Sequence, residues 1–184
     1  MKSILILIML VPSLAWAVRV GETELPDSWT VNGETLILNG AGVREYSFLR
    51  IPVYAAALYL PTRQKNEASI LKATTSRVIH MKMLRDVTRE DSVKAWNVYL
   101  VANCKSPCAI ADETRQKFLK TIPDTRAGDS QTFIFKEGSL EIFRNGISLA
   151  IIFDNAFAMV VLATWIGEVP TTTGLKKNLL GVVQ

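Results

Sequence analysis

The sequence predicts an α+β fold, with one large, mainly antiparallel sheet and helices packed on one of its faces. Strand patterns occur in the N-terminal part and again near the C-terminus, whereas helical patterns lie between these groups and at the end of the chain. Segregated strands and helices, rather than strict alternation, are typical of this class. The 184 residues are 49% hydrophobic and 21% charged, which excludes a disordered or low-complexity protein.

The N-terminus has the pattern of a secretory signal peptide, residues 1–17. Lys2 is the charged start, Ile4 to Val11 form an apolar core, and Ala15-Trp16-Ala17 is a small-x-small cleavage site. The apolar core is too short to cross a bilayer, which needs roughly 20 residues. We therefore expect cleavage after Ala17, a single domain over residues 18–184, and a periplasmic or secreted product.

The first half of this domain contains most of the predicted strands. Proline cannot donate to a strand ladder, so Pro52 is expected to separate two strand segments between Val43 and Leu60. The other elements predicted here are a strand at Thr35 to Asn39, a tight turn at Gly40-Ala41-Gly42, a short helix at Glu67 to Ala73 and a strand at Arg77 to Leu84.

Two helices are expected in the middle of the chain. Thr88-Arg89-Glu90-Asp91 resembles a capping box and predicts a helix that runs to about Asn103. A second helix is predicted from Ala109 to about Thr121, ending before Pro123.

The C-terminal third predicts a β-hairpin. Phe133 and Phe135 mark one strand, and Leu140 to Arg144 form the next. Asn145-Gly146 is a strong two-residue hairpin signal, because both residues accept positive φ. A two-residue loop would pair Ile142 with Leu149 and Leu140 with Ile151, so that their apolar faces coincide.

The apolar stretch Ile147 to Ile166 has the length of a membrane span. Asp154 and Asn155 lie near its middle, where an acidic side chain costs roughly 2.5–3.5 kcal/mol. These residues are better suited to capping a helix, so we predict a strand followed by a helix from Ala156 to Ile166. Gly167 would end that helix, and Gly174 to Leu180 would form a last short one.

Several function classes lack their sequence signals. The net charge of +4 includes no run of Lys or Arg, so no nucleic-acid partner is expected. There is no Gly-rich phosphate loop, HExxH or GxSxG pattern, and no cofactor or metal is predicted. The single histidine, His80, lies within a predicted strand, where a structural role is more common than a functional one.

Cys104 and Cys108 form the sequence CKSPC at the end of the central helix. Residues four apart on a helix lie within disulfide range, and an oxidising compartment favours a disulfide here. A redox-active pair is the alternative, although the spacing differs from CxxC.

Two places could form a ligand site. Helix positions Val93, Trp96, Leu100, Val101 and Cys104 make an apolar stripe that contains Asn97, whose amide would bond either to backbone or to a ligand. Arg44 lies on a strand, and Tyr54 precedes the small residues Ala55-Ala56-Ala57, which would leave room for a cavity. An Arg and a phenol at its mouth could bind an oxyanion or carboxylate. Ala56, Leu58 and Trp96 are expected to line this cleft.

Two separated motifs resemble the chalcone isomerase-like family. LNGAGVREYSFLRIPVYAAALYLP, from Leu38 to Pro61, is close to the family's GAGVR…VY…LYL pattern. AFAMVVLATWIGEVPTTTGLKKNLLG, from Ala156 to Gly181, is similar to the WLG…P…LK…LLG ending of the bacterial, signal-peptide-bearing branch. The resemblance extends over about Thr35 to Gly181 and implies an open-faced β-sandwich with a ligand cleft between sheet and helices.

The resemblance also implies roles for individual residues. In the plant isomerases an Arg, a Thr, a Tyr and an Asn serve catalysis or contact the substrate. Arg44 matches that Arg and Asn97 the Asn, whereas the Thr position holds Tyr54 and the Tyr position falls near Glu90. The combination of Arg44 and Tyr54 resembles the Arg and Tyr of the fatty-acid-binding members of the family, in which this pair binds a carboxylate.

Three functions follow from these observations. The first is non-catalytic binding of a small hydrophobic carboxylic acid, such as a fatty acid, by Arg44, Tyr54 and Asn97. The second is an isomerase or intramolecular lyase acting on an unsaturated phenolic or acyl compound. The third is a structural or interaction module without a ligand. The sequence leaves the ligand and the oligomeric state open.

Overall fold

The computed structural model describes residues 17–104 and 110–182. Over these residues, a two-stranded hairpin precedes a seven-stranded sheet in which every strand pairs antiparallel with its neighbours in sequence. The strands are β1 (Ala17–Val20), β2 (Thr23–Pro26), β3 (Ser28–Val31), β4 (Glu34–Tyr46), β5 (Ile51–Leu60), β6 (Arg77–Met83), β7 (Ser130–Lys136), β8 (Ser139–Arg144) and β9 (Ile147–Ile152).

The helices are inserted between the central strands and follow the last one. They are α1 (Glu67–Lys72), α2 (Arg89–Asn103), α3 (Asp112–Lys120), α4 (Asn155–Ile166) and α5 (Thr173–Leu179). The predicted α+β class, with a large antiparallel sheet, is confirmed. No helix in the described parts of the chain is long and apolar enough to cross a membrane.

Alternation along the strands divides the interior into two clusters. Ala56 and Leu58 on β5 face the helices and join the larger cluster, which includes Phe157 and Trp165 of α4. Their neighbours on the same strand face the opposite side and pack in a smaller cluster with residues of β2, β3 and β4: Ala55, Ala57 and Tyr59. The small residues of β5 therefore pack alternately into the two clusters, on opposite faces of the sheet.

The prediction of a turn at Gly40-Ala41-Gly42 is wrong, because these residues continue β4. Helix α5 crosses the strand here, and the Asn39 side chain donates to the Leu179 carbonyl over 2.7 Å. A Cβ atom on Gly40 would overlap the Asn178 carbonyl oxygen, whereas one on Gly42 would meet only the Asn178 side chain. Gly40 is required by the close approach of another backbone.

We expect Gly40→Ala to lower the free energy of unfolding by about 2 kcal/mol, because backbone atoms of α5 must move to admit the methyl group. Gly174→Ala is the matched control, since its Cβ would meet no atom within 4 Å. Urea unfolding of both variants checks this expectation. Equal midpoints for the two would contradict the proposed role of Gly40.

The strand break is not at Pro52. Chain reversal occurs over residues 47–50, where Ser47 and Arg50 adopt positive φ and the Arg50 amide donates to the Ser47 carbonyl. Pro52 lies within β5, opposite Glu45 and beside a register shift between Arg44 and Glu45. A bulge interrupts the ladder locally, so the missing proline N–H is tolerated.

The β8–β9 hairpin forms at Asn145-Gly146 as predicted, with positive φ at both residues. The predicted pairs are wrong by one residue, because a register shift lies between Ile142 and Phe143. Ile142 therefore pairs with Ala150, and Leu140 pairs with Ile152, which is buried. The bulge leaves three apolar side chains of β9 exposed: Ile147, Leu149 and Ile151.

Local capping signals correctly located two helix starts. The Thr88 side chain accepts a hydrogen bond from the Asp91 amide at the start of α2, over 3.1 Å. The Asp154 carboxylate accepts one from the Phe157 amide at the start of α4, over 2.9 Å. On α2, Leu100 is buried as the stripe predicts, but Val101 is 64% exposed because the helix lies against the core along a narrower strip.

Two predictions concern residues outside the described ranges. The signal peptide falls mainly on residues 1–16, and Cys108 lies in the segment 105–109. Cys104 is the C-terminal cap residue of α2. The cleavage site and the Cys104–Cys108 disulfide therefore stay predictions.

Candidate functional site

A cavity of about 540 Å³ lies between the sheet and helix α2. This volume is within the range of about 300–1,000 Å³ that is common for small-molecule sites. Strands β5 and β6 form its floor, α2 forms one wall, and the end of α4 closes another side. The apolar lining residues are Val53, Met81, Met83, Val87, Ala95, Trp96, Val98, Ile122 and Trp165.

Arg44 and Tyr54 lie side by side at this cavity. They are direct partners in the β4–β5 ladder, so their side chains project from the same face of the sheet. The guanidinium carbon of Arg44 is 5.8 Å from the centre of the Tyr54 ring and 6.0 Å from that of Tyr46. No hydrogen bond or salt bridge to Arg44 is present within the described ranges, which leaves its N–H groups available to an anion.

Tyr54 is oriented as a hydrogen-bond donor. Its hydroxyl accepts a bond from the indole N–H of Trp165 over 3.1 Å. Since the indole can only donate, the Tyr54 proton remains available for another acceptor. Burial raises the pKa of Tyr54, and the nearby Arg44 charge opposes that rise only in part. The phenol is therefore neutral at physiological pH.

Thr171 adds a third polar group beside Tyr54. Its hydroxyl is close enough to lower the pKa of Tyr54, yet its buried oxygen lacks a well-formed hydrogen bond within the described chain. The backbone here is fixed by Tyr99 of α2, whose hydroxyl donates to the Thr171 carbonyl over 3.2 Å. Arg44, Tyr54 and Thr171 together form a donor cluster at one end of an apolar cavity.

Only some of the other polar side chains that line the cavity form hydrogen bonds within the described protein. The hydroxyls of Thr125 and Thr164 donate to backbone carbonyls, of Val87 and Val161 respectively. Gln131 on β7 is 7% exposed and contributes an amide to the lining. Charged side chains surround the exposed side of the cavity: Arg85, Asp86, Asp91 and Lys94.

The structure brings together three of the residues singled out in the sequence, since Arg44, Tyr54 and Trp96 all line the cavity. Asn97 does not, because the next position on a helix is rotated by about 100°. Its side-chain oxygen instead accepts a hydrogen bond from Arg115 of α3 over 2.8 Å. This corrects the expectation that Asn97 lies in the cleft.

Ala56 and Leu58 also lie outside the cavity. Both are fully buried in the larger core cluster, farther along β5 than Tyr54. They share the face of Tyr54, as alternation requires, but helices α4 and α5 cover this part of the strand. The cavity is therefore shorter along β5 than the small-residue run suggested.

The lining residues that the sequence did not predict include three that matter for the site's chemistry: Trp165, Thr171 and Gln131. A tryptophan in an apolar helix was a usable signal for the first, because a buried indole N–H needs an acceptor. The other two had no local signal, since their positions depend on how separate segments pack. His80, by contrast, lies on the other face of the sheet, where its ring is 4.6 Å from that of Trp29.

No group of three His, Cys, Asp or Glu side chains in the described residues is arranged to hold a metal ion. At the end of the cavity formed by Arg44, Tyr54 and Thr171, the polar groups are one cation and two hydroxyls, which suit an anionic organic group.

The sequence model of the chalcone isomerase-like family matches residues 17–181. The chain belongs to the chalcone isomerase-like family. No curated protein sequence matches it. Among solved structures, the chain is similar to a fatty-acid binding protein of Arabidopsis thaliana, with a TM-score of 0.74 and 16% sequence identity. The alignment covers 90% of this chain and 96% of the plant protein.

Membership of the chalcone isomerase-like family confirms the resemblance carried by the two sequence motifs. In this chalcone isomerase-like chain, the first motif supplies Arg44 and Tyr54 on adjacent strands. The second supplies Trp165 and Thr171, which lie around the Tyr54 hydroxyl. The two motifs thus contribute to one polar cluster, in which Tyr54 and Trp165 are bonded although they lie 111 residues apart in the sequence.

Proposed function

We propose that this chalcone isomerase-like protein binds a small hydrophobic carboxylic acid, such as a fatty acid, without converting it chemically. The observation that carries the proposal is the pairing of Arg44 with Tyr54 at one end of an apolar cavity. A guanidinium and a neutral phenol both donate to a carboxylate, and bonds to a charged acceptor are stronger than neutral ones.

The remainder of the cavity suits an alkyl or similar apolar chain. Methionines Met81 and Met83 on β6 form the floor, and Trp96 on α2 lies opposite. Methionine side chains are flexible and polarisable, so they adapt to chains of different shape. An acid bound this way would place its charge at the Arg44 end and bury its apolar part against these side chains.

The structural neighbour from Arabidopsis thaliana is described as a fatty-acid binding protein, which supports the same ligand class for this chain. We further propose that the protein is exported as a member of the bacterial signal-peptide-bearing branch. It would function in the periplasm or outside the cell after cleavage following Ala17. The predicted Cys104–Cys108 disulfide is consistent with an oxidising compartment.

Native mass spectrometry of the protein purified from the periplasm of an expression host tests the ligand class. We expect the wild-type protein to carry an additional mass that denaturing extraction identifies as a carboxylic acid. Arg44→Ala should lose this mass while keeping the thermal unfolding midpoint of wild-type protein from which the ligand has been removed, because a bound ligand itself raises the midpoint.

Arg50→Ala is the matched control for that experiment. Arg50 lies in the same hairpin but pairs with Glu45 over 2.9 Å, and its side chain is 79% exposed. This variant should retain the ligand. A wild-type protein without any bound acid, together with no binding of added fatty acids, would contradict the proposal. Turnover of an unsaturated phenolic compound that Arg44→Ala abolishes would favour the isomerase instead.

A further inference from the structure

The side chain of Gln131 is largely buried, but its amide atoms are not sealed off completely, and they form no hydrogen bond within the described parts of the chain. Gln131 is 7% exposed and lines the cavity. Its backbone pairs with Met81 of β6 and Arg144 of β8, but no side-chain hydrogen bond of Gln131 is formed within the described ranges. An amide that lines a cavity is normally paired with protein, water or a ligand, and here the protein supplies no partner within the described ranges.

Apart from Arg44 and Thr171 at the opposite end, several polar residues of the cavity are paired within the protein. Thr125 and Thr164 also line it, but each donates its hydroxyl proton to a backbone carbonyl. Tyr54 accepts a bond from Trp165. The Gln131 amide, with two donor hydrogens and an accepting oxygen, is thus available for a polar group inside the cavity.

The sheet register places this amide away from the carboxylate end. Tyr54 pairs with Met83, and Met81 pairs with Gln131, so the two polar residues are two strands and two residues apart. Strand spacing and rise give a separation of about 12 Å between their Cα atoms. The two methionines lie between them on the same face of the sheet. The floor is therefore polar at both ends and apolar between.

We propose that the ligand is a hydrophobic acid with a second polar group, a hydroxyl or keto oxygen, within its chain, and that Gln131 binds that group. This inference rests on the proposed function and specifies its ligand class. The amide can donate to either oxygen and can accept from a hydroxyl. A site built to bond such an oxygen discriminates against the plain chain, because binding that chain leaves the amide unpaired.

Calorimetric titration with decanoic acid and with a series of hydroxydecanoic acids, whose hydroxyl is moved along the chain, tests this proposal. We expect one or two of the hydroxy acids to bind the wild-type protein about tenfold more tightly than decanoic acid. Gln131→Met retains the side-chain length and removes the amide. It should bind decanoic acid at least as well as the wild type and lose the preference for the hydroxy acid.

Gln116→Met is the matched control, since Gln116 is exposed on α3 and does not line the cavity. It should keep the wild-type preference. Thermal unfolding of each variant verifies that it folds. If Gln131→Met does not fold, Gln131→Leu provides a second apolar variant.

The outcomes separate this inference from the function on which it rests. If decanoic acid binds in an Arg44-dependent manner but Gln131→Met leaves the preference between the acids unchanged, the role of Gln131 is refuted and the proposed function stands. If none of the acids binds the wild-type protein, the proposed function and the inference are both refuted. Loss of the preference in Gln131→Met alone supports the inference.

Discussion

Replacing Arg44 with glutamine is expected to weaken the binding of decanoic acid by about 100-fold, because truncating one partner of a partly buried charged pair costs about 2–5 kcal/mol. Arg44 is partly exposed, so the lower part of that range applies. The binding of decanol should change little, since the alcohol presents no charge to the guanidinium. Calorimetry with both ligands distinguishes loss of a charge contact from general damage to the cavity.

Related substitutions separate the contributions of the two polar residues. Arg44→Lys keeps a positive charge but loses the planar fork that can bond both carboxylate oxygens, so we expect an intermediate affinity. Tyr54→Phe removes a donor and also leaves the Trp165 N–H without its acceptor. Its unfolding midpoint must therefore be compared with that of the wild type before the affinity is interpreted.

Arg50→Gln is the control for the Arg44 experiment, because it removes an exposed guanidinium from the same hairpin. Its affinity for decanoic acid should equal that of the wild type. Equal loss of decanoic acid and decanol binding in Arg44→Gln would mean that Arg44 supports the shape of the cavity and does not bind a carboxylate.

Local signals in the sequence predicted the elements that depend on neighbouring residues. The caps at Thr88 and Asp154 form within three residues of their partners, so the helix starts were correct. The Asn145-Gly146 turn is equally local. Bulges are different, because they are decided by packing across strands, and the one beside Ile142 moved the predicted pairs by one residue.

Gly40 shows why longer-range features could not be predicted. Glycines between two apolar runs usually indicate a turn, but here the constraint comes from α5, and the adjacent Asn39 bonds to a residue 140 positions away. The same reasoning applies to the site. Arg44 and Tyr54 were predicted together because they flank one hairpin, whereas Gln131 joins the cavity through two intervening strand pairings.

A large pH dependence of the free energy of unfolding is expected from His80, which lies on the face of the sheet opposite the cavity. Its ring is buried against Trp29, and Nδ1 lies 2.9 Å from the Thr132 hydroxyl oxygen. Burial and, to a smaller extent, the charge of Lys82 lower the pKa of His80 from 6.5 to about 4. The folded protein therefore holds this imidazole neutral, whereas the unfolded chain takes up a proton below pH 6.5.

This difference in pKa between the folded and unfolded states makes the protein less stable at acidic pH. Above pH 6.5 neither state is protonated at His80 and the full stability is present. As the pH falls from 6.5 to 4, the unfolded state binds the proton first. The free energy of unfolding therefore decreases by about 3 kcal/mol, at 1.36 kcal/mol per pH unit. The loss is complete once the pH falls below the folded-state pKa.

His80→Gln should remove most of this dependence, because an amide can still bond to Thr132 but does not titrate. Urea unfolding between pH 7 and 4 provides the measurement, with a steep decline expected for the wild type and a shallow one for the variant. Asp129 does not contribute to the decline in stability between pH 7 and 4. Hydrogen bonds from the Arg126 backbone and from the Asn145 and Arg144 side chains lower the pKa of its carboxyl group. Its contribution is lost only below about pH 4, where the unfolded carboxylate begins to protonate. An equally steep decline in His80→Gln would assign the acid sensitivity to other groups and would mean that burial does not hold His80 neutral.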